Sequence, residues 1–183
     1  MPQTEMTCHS PATEQAPDDA SRIALIGSPN GGKTSIFNQL TGLHAKTGNY
    51  PGVTVSRSEG VARIHDHTFA IEDLPGTYSL SPISPDEQVV VDVLDGRMDQ
   101  VSAPDALVVV ADATALRRSL LLLAEVLPRH LPTAVVVTMT DELRRRQGSL
   151  DVTALSQALG VPVVADVDNR GIGPRELRNL LTT

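Results

Sequence analysis

Cysteine is all but missing from this sequence of 183 residues. Cys8 is the only one, so no internal disulfide can form, and a reducing, cytosolic setting is expected. Long apolar runs are missing too. The longest candidates, 106–111 and 120–126, fall well short of the ~18 residues that a spanning helix needs. The N-terminus lacks the basic and apolar regions of a signal peptide. Positive charge is in deficit: the net charge of −7 argues against nucleic acid or an anionic membrane surface as a partner. Lysine is the rarest cation. Only Lys33 and Lys46 occur among 15 basic residues, the rest being arginine.

One of those two lysines stands in Gly27-Ser28-Pro29-Asn30-Gly31-Gly32-Lys33-Thr34, which fits G-x-x-x-x-G-K-[ST], the phosphate-binding loop of P-loop NTPases. The apolar run Arg22–Ile26 before it reads as a buried strand, and Ser35–Leu40 after it as a helix. That order carries the chemistry. Glycines let backbone N–H groups wrap a phosphate at a helix N-terminus, where the macrodipole favours an anion. Asn30, Gly31, Gly32, Lys33, Thr34 and Ser35 are therefore the candidate nucleotide-binding residues, with Lys33 reaching the β- and γ-phosphates and the Thr34 hydroxyl on Mg²⁺.

A second motif answers the first. Phe69–Asp73 is an apolar strand that ends in D-x-x-G, Asp73-Leu74-Pro75-Gly76, about 40 residues beyond Lys33. In a nucleotide switch the Asp holds Mg²⁺ and the Gly N–H meets the γ-phosphate. Between the two motifs, Gly48–Val55 is polar and rich in Gly and Pro, and reads as a mobile loop. Its Thr54 is a candidate to close on Mg²⁺ and the γ-phosphate, or else simply starts the next strand.

Periodicity gives the framework. Strands are expected near 22–27, 59–65, 67–73, 105–111, 133–138 and 161–165, and helices near 33–41, 85–95, 115–127, 151–159 and 174–182. Ser84-Pro85-Asp86-Glu87 is a capping box with Pro at the first helical position. Ile64–Thr68 reads as a hairpin turn. Residues 1–20, rich in Pro, Asp, Thr and Ser, read as a disordered tail, and 21–183 as a single nucleotide-binding domain. The expected fold is α/β: a doubly wound, mostly parallel sheet with one antiparallel strand and helices on both faces.

The segments Gly27–Gly42, Gly48–Val55 (Gly-Asn-Tyr-Pro-Gly-Val-Thr-Val) and Asp73–Leu80 (Asp-Leu-Pro-Gly-Thr-Tyr-Ser-Leu) together resemble the N-terminal GTPase domain of FeoB, the bacterial ferrous iron transporter. The similarity runs from about Arg22 to the C-terminus. It implies a Ras-like GTPase domain, GTP and GDP as ligands, and a place on the cytoplasmic face of the inner membrane. The family's membrane-embedded iron-transport domain would be the partner, and homo-oligomers are open. Lys33, Thr54 and Gly76 become the catalytic candidates, and Thr34, Thr54 and Asp73 the Mg²⁺ ligands. The resemblance also implies K⁺ as activator, held by Asn30 and by backbone carbonyls around Gly48–Tyr50. Asn30 alternatively just caps the P-loop turn. Thr77 stands where a Ras-like GTPase has its water-orienting glutamine.

The base-recognition motifs depart from the family. Where N-x-x-D is expected after the fifth strand, the chain has Thr138-Met139-Thr140-Asp141. Asp141 keeps the guanine-reading carboxylate and can also serve as a helix N-cap, and the two roles can coexist. Thr138 cannot offer an amide's paired donor and acceptor. Val167 and Asp168 stand where Ser-Ala is usual. Weaker guanine binding and relaxed discrimination against adenine are expected. Two other readings stay open: a module that binds nucleotide but barely turns over, and a stand-alone regulatory GTPase.

Overall fold

The computed structural model describes residues 16–17, 19–165 and 172–182. Val167 and Asp168, and most of the 1–20 tail, lie outside them.

Seven strands form one sheet in the order β2-β3-β4-β1-β5-β6-β7. They are β1 (Ser21–Gly27), β2 (Ala45–Asn49), β3 (Ser56–Ile64), β4 (His67–Asp73), β5 (Ala106–Asp112), β6 (Thr133–Thr138) and β7 (Val163–Ala165). β3 runs antiparallel to both neighbours, and every other pairing is parallel. The helices are α1 (Lys33–Thr41), α2 (Pro85–Leu94), α3 (Leu116–Val126), α4 (Thr140–Arg145), α5 (Val152–Leu159) and α6 (Ile172–Leu181).

The central strands are apolar on both faces, as strands covered on both sides must be. Alternation sorts their side chains into two cores. Ile23, Leu25, Val108, Val110 and Val136 join Ile36, Phe37 and Leu40 of α1 and Leu177 of α6. Ala24, Ile26, Leu107, Val109, Val135 and Val137 join α2 and α3 through Val89, Val90, Val93, Leu122 and Leu123. Ile36, Phe37 and Leu40 lie on one stripe of α1 and are all fully buried. Each contributes roughly 1.5–3 kcal/mol of burial, which fixes α1, and with it the loop before it, against the sheet.

The expected strands and helices are present with shifted ends. Two elements escaped the sequence reading. β2 is a polar, exposed edge strand, Ala-Lys-Thr-Gly-Asn, with no apolar alternation to mark it. α4 is only six residues long, too short to show a period. The segment 48–55, expected as a mobile loop, is in part this strand: Gly48 and Asn49 pair with Arg57 and Ser56. The strand expected at 161–165 begins at Val163. Pro162 still takes part by accepting a hydrogen bond from Val135 N at 2.9 Å, although it has no N–H to donate.

The capping box before α2 forms with a change of partner. The Ser84 hydroxyl accepts from Glu87 N at 3.3 Å, while the Glu87 carboxylate accepts from Ile83 N at 2.9 Å. The hairpin turn at His65-Asp66 is two residues long, with His65 at φ 53°.

Candidate nucleotide site

The parallel strands β1, β4, β5 and β6 end on one edge of the sheet, and the candidate residues collect there. The P-loop leaves β1 at Gly27, turns through a Gly31 N–H bond to Ser28 O at 3.2 Å, and enters α1 at Lys33. Asn30 sits at φ 61°, and Gly32, the N-cap of α1, at φ 87°. No side chain caps α1, so its first N–H groups remain available to an anion. A cavity of about 550 Å³ opens over the loop, lined by Ser28, Pro29, Asn30, Gly32, Lys33, Thr34 and Ser35 from the loop and α1. Gly76 and Met139 complete its wall.

Asp73, at the end of β4, reaches the same point. Its Oδ1 accepts from Lys33 Nζ, and its Oδ2 from the Thr34 hydroxyl at 3.0 Å. Both side chains of the ion pair are about nine-tenths buried. A hydroxyl and a carboxylate side by side at the mouth of a phosphate loop are hard oxygen donors, and they fit Mg²⁺. The backbone after Asp73 follows the end of β1: Leu74 N donates to Leu25 O at 3.2 Å and Thr77 N to Gly27 O at 3.0 Å. This lays Gly76 on the P-loop. A Cβ at Gly76 would fall 2.8–2.9 Å from Pro29, so only glycine fits. Thr77 is fully buried, and its hydroxyl donates to Ser79 O at 2.6 Å. It is not among the residues that line the cavity.

Thr54 does not line the cavity. It is exposed, in a turn closed by Tyr50 N–H on Val55 O at 2.9 Å and by Val53 N–H on Tyr50 O at 3.3 Å. Asn30 is exposed and lines the cavity wall. Gly48 and Asn49 are paired in β2 with Arg57 and Ser56, and the Tyr50 carbonyl accepts from Val53 N in this turn.

The turn is anchored by residues that sequence reasoning passed over. Tyr50 is 1 % exposed and donates its phenol proton to Glu72 Oε1 at 2.8 Å. Arg57 Nε donates to the same oxygen at 2.9 Å, and its guanidinium lies 5.8 Å from the Tyr50 ring centre. Burial, and then the Glu72 charge, hold the Tyr50 phenol far above its ordinary pKa. The available signal was Glu72 itself, a charge that directly follows the apolar run Phe69–Ile71.

At the base-recognition end, Thr138 closes β6 and is buried, with its hydroxyl 2.6 Å from Gly31 O. Met139 follows at φ 57° and N-caps α4, so Asp141 is in the first turn and is not the N-cap. The Asp141 carboxylate is about half exposed and pairs with Arg145 at 2.8 Å. A pair this exposed is worth ~1 kcal/mol or less, and a ligand can take the carboxylate from it.

Residues 21–181 match the family described as ferrous iron transport protein B. A FeoA/FeoB iron-transport fusion protein of Porphyromonas gingivalis is 43 % identical over 160 residues, which is 87 % of this chain and 18 % of that protein. The Fe(2+) transporter FeoB of Salmonella typhimurium is 44 % identical over 161 residues, 85 % of this chain and 20 % of that protein. Among solved structures, the G domain of the T. maritima FeoB iron transporter superposes with a TM-score of 0.79 at 38 % identity, covering 89 % of this chain and 97 % of that one. The cytosolic domain of the same transporter in a GDP form gives 0.82 at 37 % identity, covering 91 % and 64 %, and in a GMPPNP form 0.81 at 38 %, covering 88 % and 62 %. The chain belongs to the FeoB family and carries its N-terminal G domain, a P-loop GTPase fold. It spans about a fifth of the length of the full-length relatives it matches. No helix among the described residues is long and apolar enough to cross a membrane.

Proposed function

For this member of the FeoB family we propose a Mg²⁺-dependent GTPase that hydrolyses GTP to GDP and phosphate, stimulated by K⁺, and regulates ferrous iron passage through the family's membrane-embedded domain. The observation that carries this reading is the meeting of Lys33, Thr34 and Asp73 beneath a cavity walled by Gly76. When nucleotide enters, the N–H groups at the start of α1 hold the β-phosphate. Lys33 exchanges Asp73 for the β- and γ-phosphate oxygens and offsets the charge that develops on them. Thr34 and Asp73 are the side chains that would hold Mg²⁺, which supplies charge neutralisation between the β- and γ-phosphates when bound. Asn30 would hold K⁺. Gly76, packed on Pro29, offers its N–H to the γ-phosphate and relays that contact into 77–84. Thr54 has to leave its exposed turn to reach the cavity, so closure of 50–55 precedes hydrolysis. Thr77 supplies no water-orienting group, so turnover is slow. The iron link rests on family membership.

A second reading is favoured by Thr54 and Thr77 together: a module that binds nucleotide and signals its presence with little turnover. Binding and turnover of GTP and ATP, measured in K⁺ and again in Na⁺, decide between the two. GTP preference with K⁺-stimulated phosphate release supports the GTPase. Binding without release in either salt supports the sensing module, and equal binding of ATP removes Asp141 as a guanine reader.

A further inference from the structure

Thr138 stands where the resemblance places asparagine in the base-recognition motif. The geometry shows what its hydroxyl does in that place. Thr138 is 3 % exposed and ends β6, whose register against β5 pairs it with Asp112. Its hydroxyl has one proton and two carbonyls in reach, Gly31 O at 2.6 Å and Ala111 O at 3.2 Å. The shorter bond goes to the P-loop. Its methyl group supports the same loop from beneath: a Cβ built on Gly32 would lie 3.2 Å from Thr138 Cγ2. Gly31 and Gly32 are the two residues directly before Lys33, so this side chain grips the loop at the turn that aims the lysine. Thr138 is not among the residues that line the cavity, whereas its neighbour Met139 is, and a side chain buried this far offers almost no surface to a ligand.

We propose that Thr138 is a positioning residue for the phosphate loop that makes no contact with the base: its hydroxyl fixes Gly31, and base selection is left to groups beyond it. This inference rests on the nucleotide-binding reading above. It implies that the Asn-to-Thr difference leaves the phosphate grip intact and takes away only a base contact. A buried carbonyl that loses its donor is penalised by an amount that corresponds to about tenfold in affinity. That loss would fall equally on any ligand held by the loop, with or without a base.

The test compares Mg²⁺·GTP with inorganic tripolyphosphate, each read by displacement of a fluorescent GTP analogue. Two pairs of proteins each differ by the hydroxyl alone: wild type against Thr138→Val, and Thr138→Ser against Thr138→Ala. The second pair keeps the question answerable if Thr138→Val fails to fold. The expected result is a loss of about tenfold for both ligands when the hydroxyl is removed, with Thr138→Ser near wild type. A loss for GTP with tripolyphosphate unchanged would show that the hydroxyl reads the base and would overturn the proposal, as would unchanged binding of both. Lys33→Ala is the control. If it leaves GTP binding intact, the P-loop reading itself has failed; if it abolishes binding while the hydroxyl changes nothing, only the role of Thr138 has.

Discussion

The two ends of the site are built differently. At the phosphate end, residues from two separate segments, the P-loop with the start of α1 and the D-x-x-G turn, meet within hydrogen-bonding distance or in direct packing: Lys33 and Thr34 on Asp73, and Gly76 on Pro29. At the base-recognition end, Asp141 is half exposed and pairs with Arg145 at the surface. Thr138 bonds to the P-loop and does not line the cavity. The phosphate grip depends on backbone geometry and close approach, where one added atom collides. Base reading depends on side chains that are replaced without moving the backbone.

The largest expected effect breaks the phosphate end. Lys33→Ala removes the group proposed to meet the β- and γ-phosphates and leaves Asp73 without its cation, so GTP affinity is expected to fall at least a hundredfold by calorimetry. Gly76→Ala comes next. Its methyl group must displace Pro29, so GTP hydrolysis falls by ten- to a hundredfold while GDP affinity stays within a few-fold, a split that steady-state kinetics and GDP titration resolve. Asp141→Asn sharpens the contrast from the other side. Affinity for GTP drops about tenfold or more and that for ATP does not if, as proposed, the carboxylate is the guanine-specific group at this end. An equal drop for both nucleotides would deny it that role.

The smallest effect lies outside both ends. Tyr50→Phe removes one hydrogen bond to Glu72 and leaves the Arg57 bond in place, so unfolding in urea shows a loss of about 1 kcal/mol. The sign of its pH dependence follows from the raised phenol pKa. Tyr50 in the folded chain titrates above its unfolded value near 10, so its contribution is complete below that pH and is lost as pH rises beyond it. Tyr50→Phe flattens that alkaline loss, and a denaturation series from pH 8 to 11 measures the difference.

The phosphate end was legible in the sequence because glycine spacing and a lone lysine encode backbone shape directly. Asp73 and Gly76 could be named because a strand must run up to them for the spacing to work. The rest required three dimensions. The edge strand β2 draws its order from pairing with β3 and carries no apolar code of its own. The Tyr50–Glu72–Arg57 anchor joins residues from three segments, and only the charge within a buried strand hinted at it. Thr138 read as a defect in a motif. Its grip on Gly31 spans 107 residues, a distance over which the sequence carries no local signal. The N-cap reading of Asp141 failed because Met139 takes a left-handed conformation and starts α4 two residues earlier.

The central claim is that Lys33, Thr34 and Asp73 are one phosphate-and-cation site that trades its internal ion pair for nucleotide. A crystal structure of the chain with Mg²⁺ and a non-hydrolysable GTP analogue tests it most directly. The account predicts Lys33 Nζ on the β- and γ-phosphate oxygens, parted from Asp73, with the Thr34 hydroxyl and the Asp73 carboxylate turned to the metal. A Lys33–Asp73 pair left intact, with the nucleotide bound elsewhere, would contradict it.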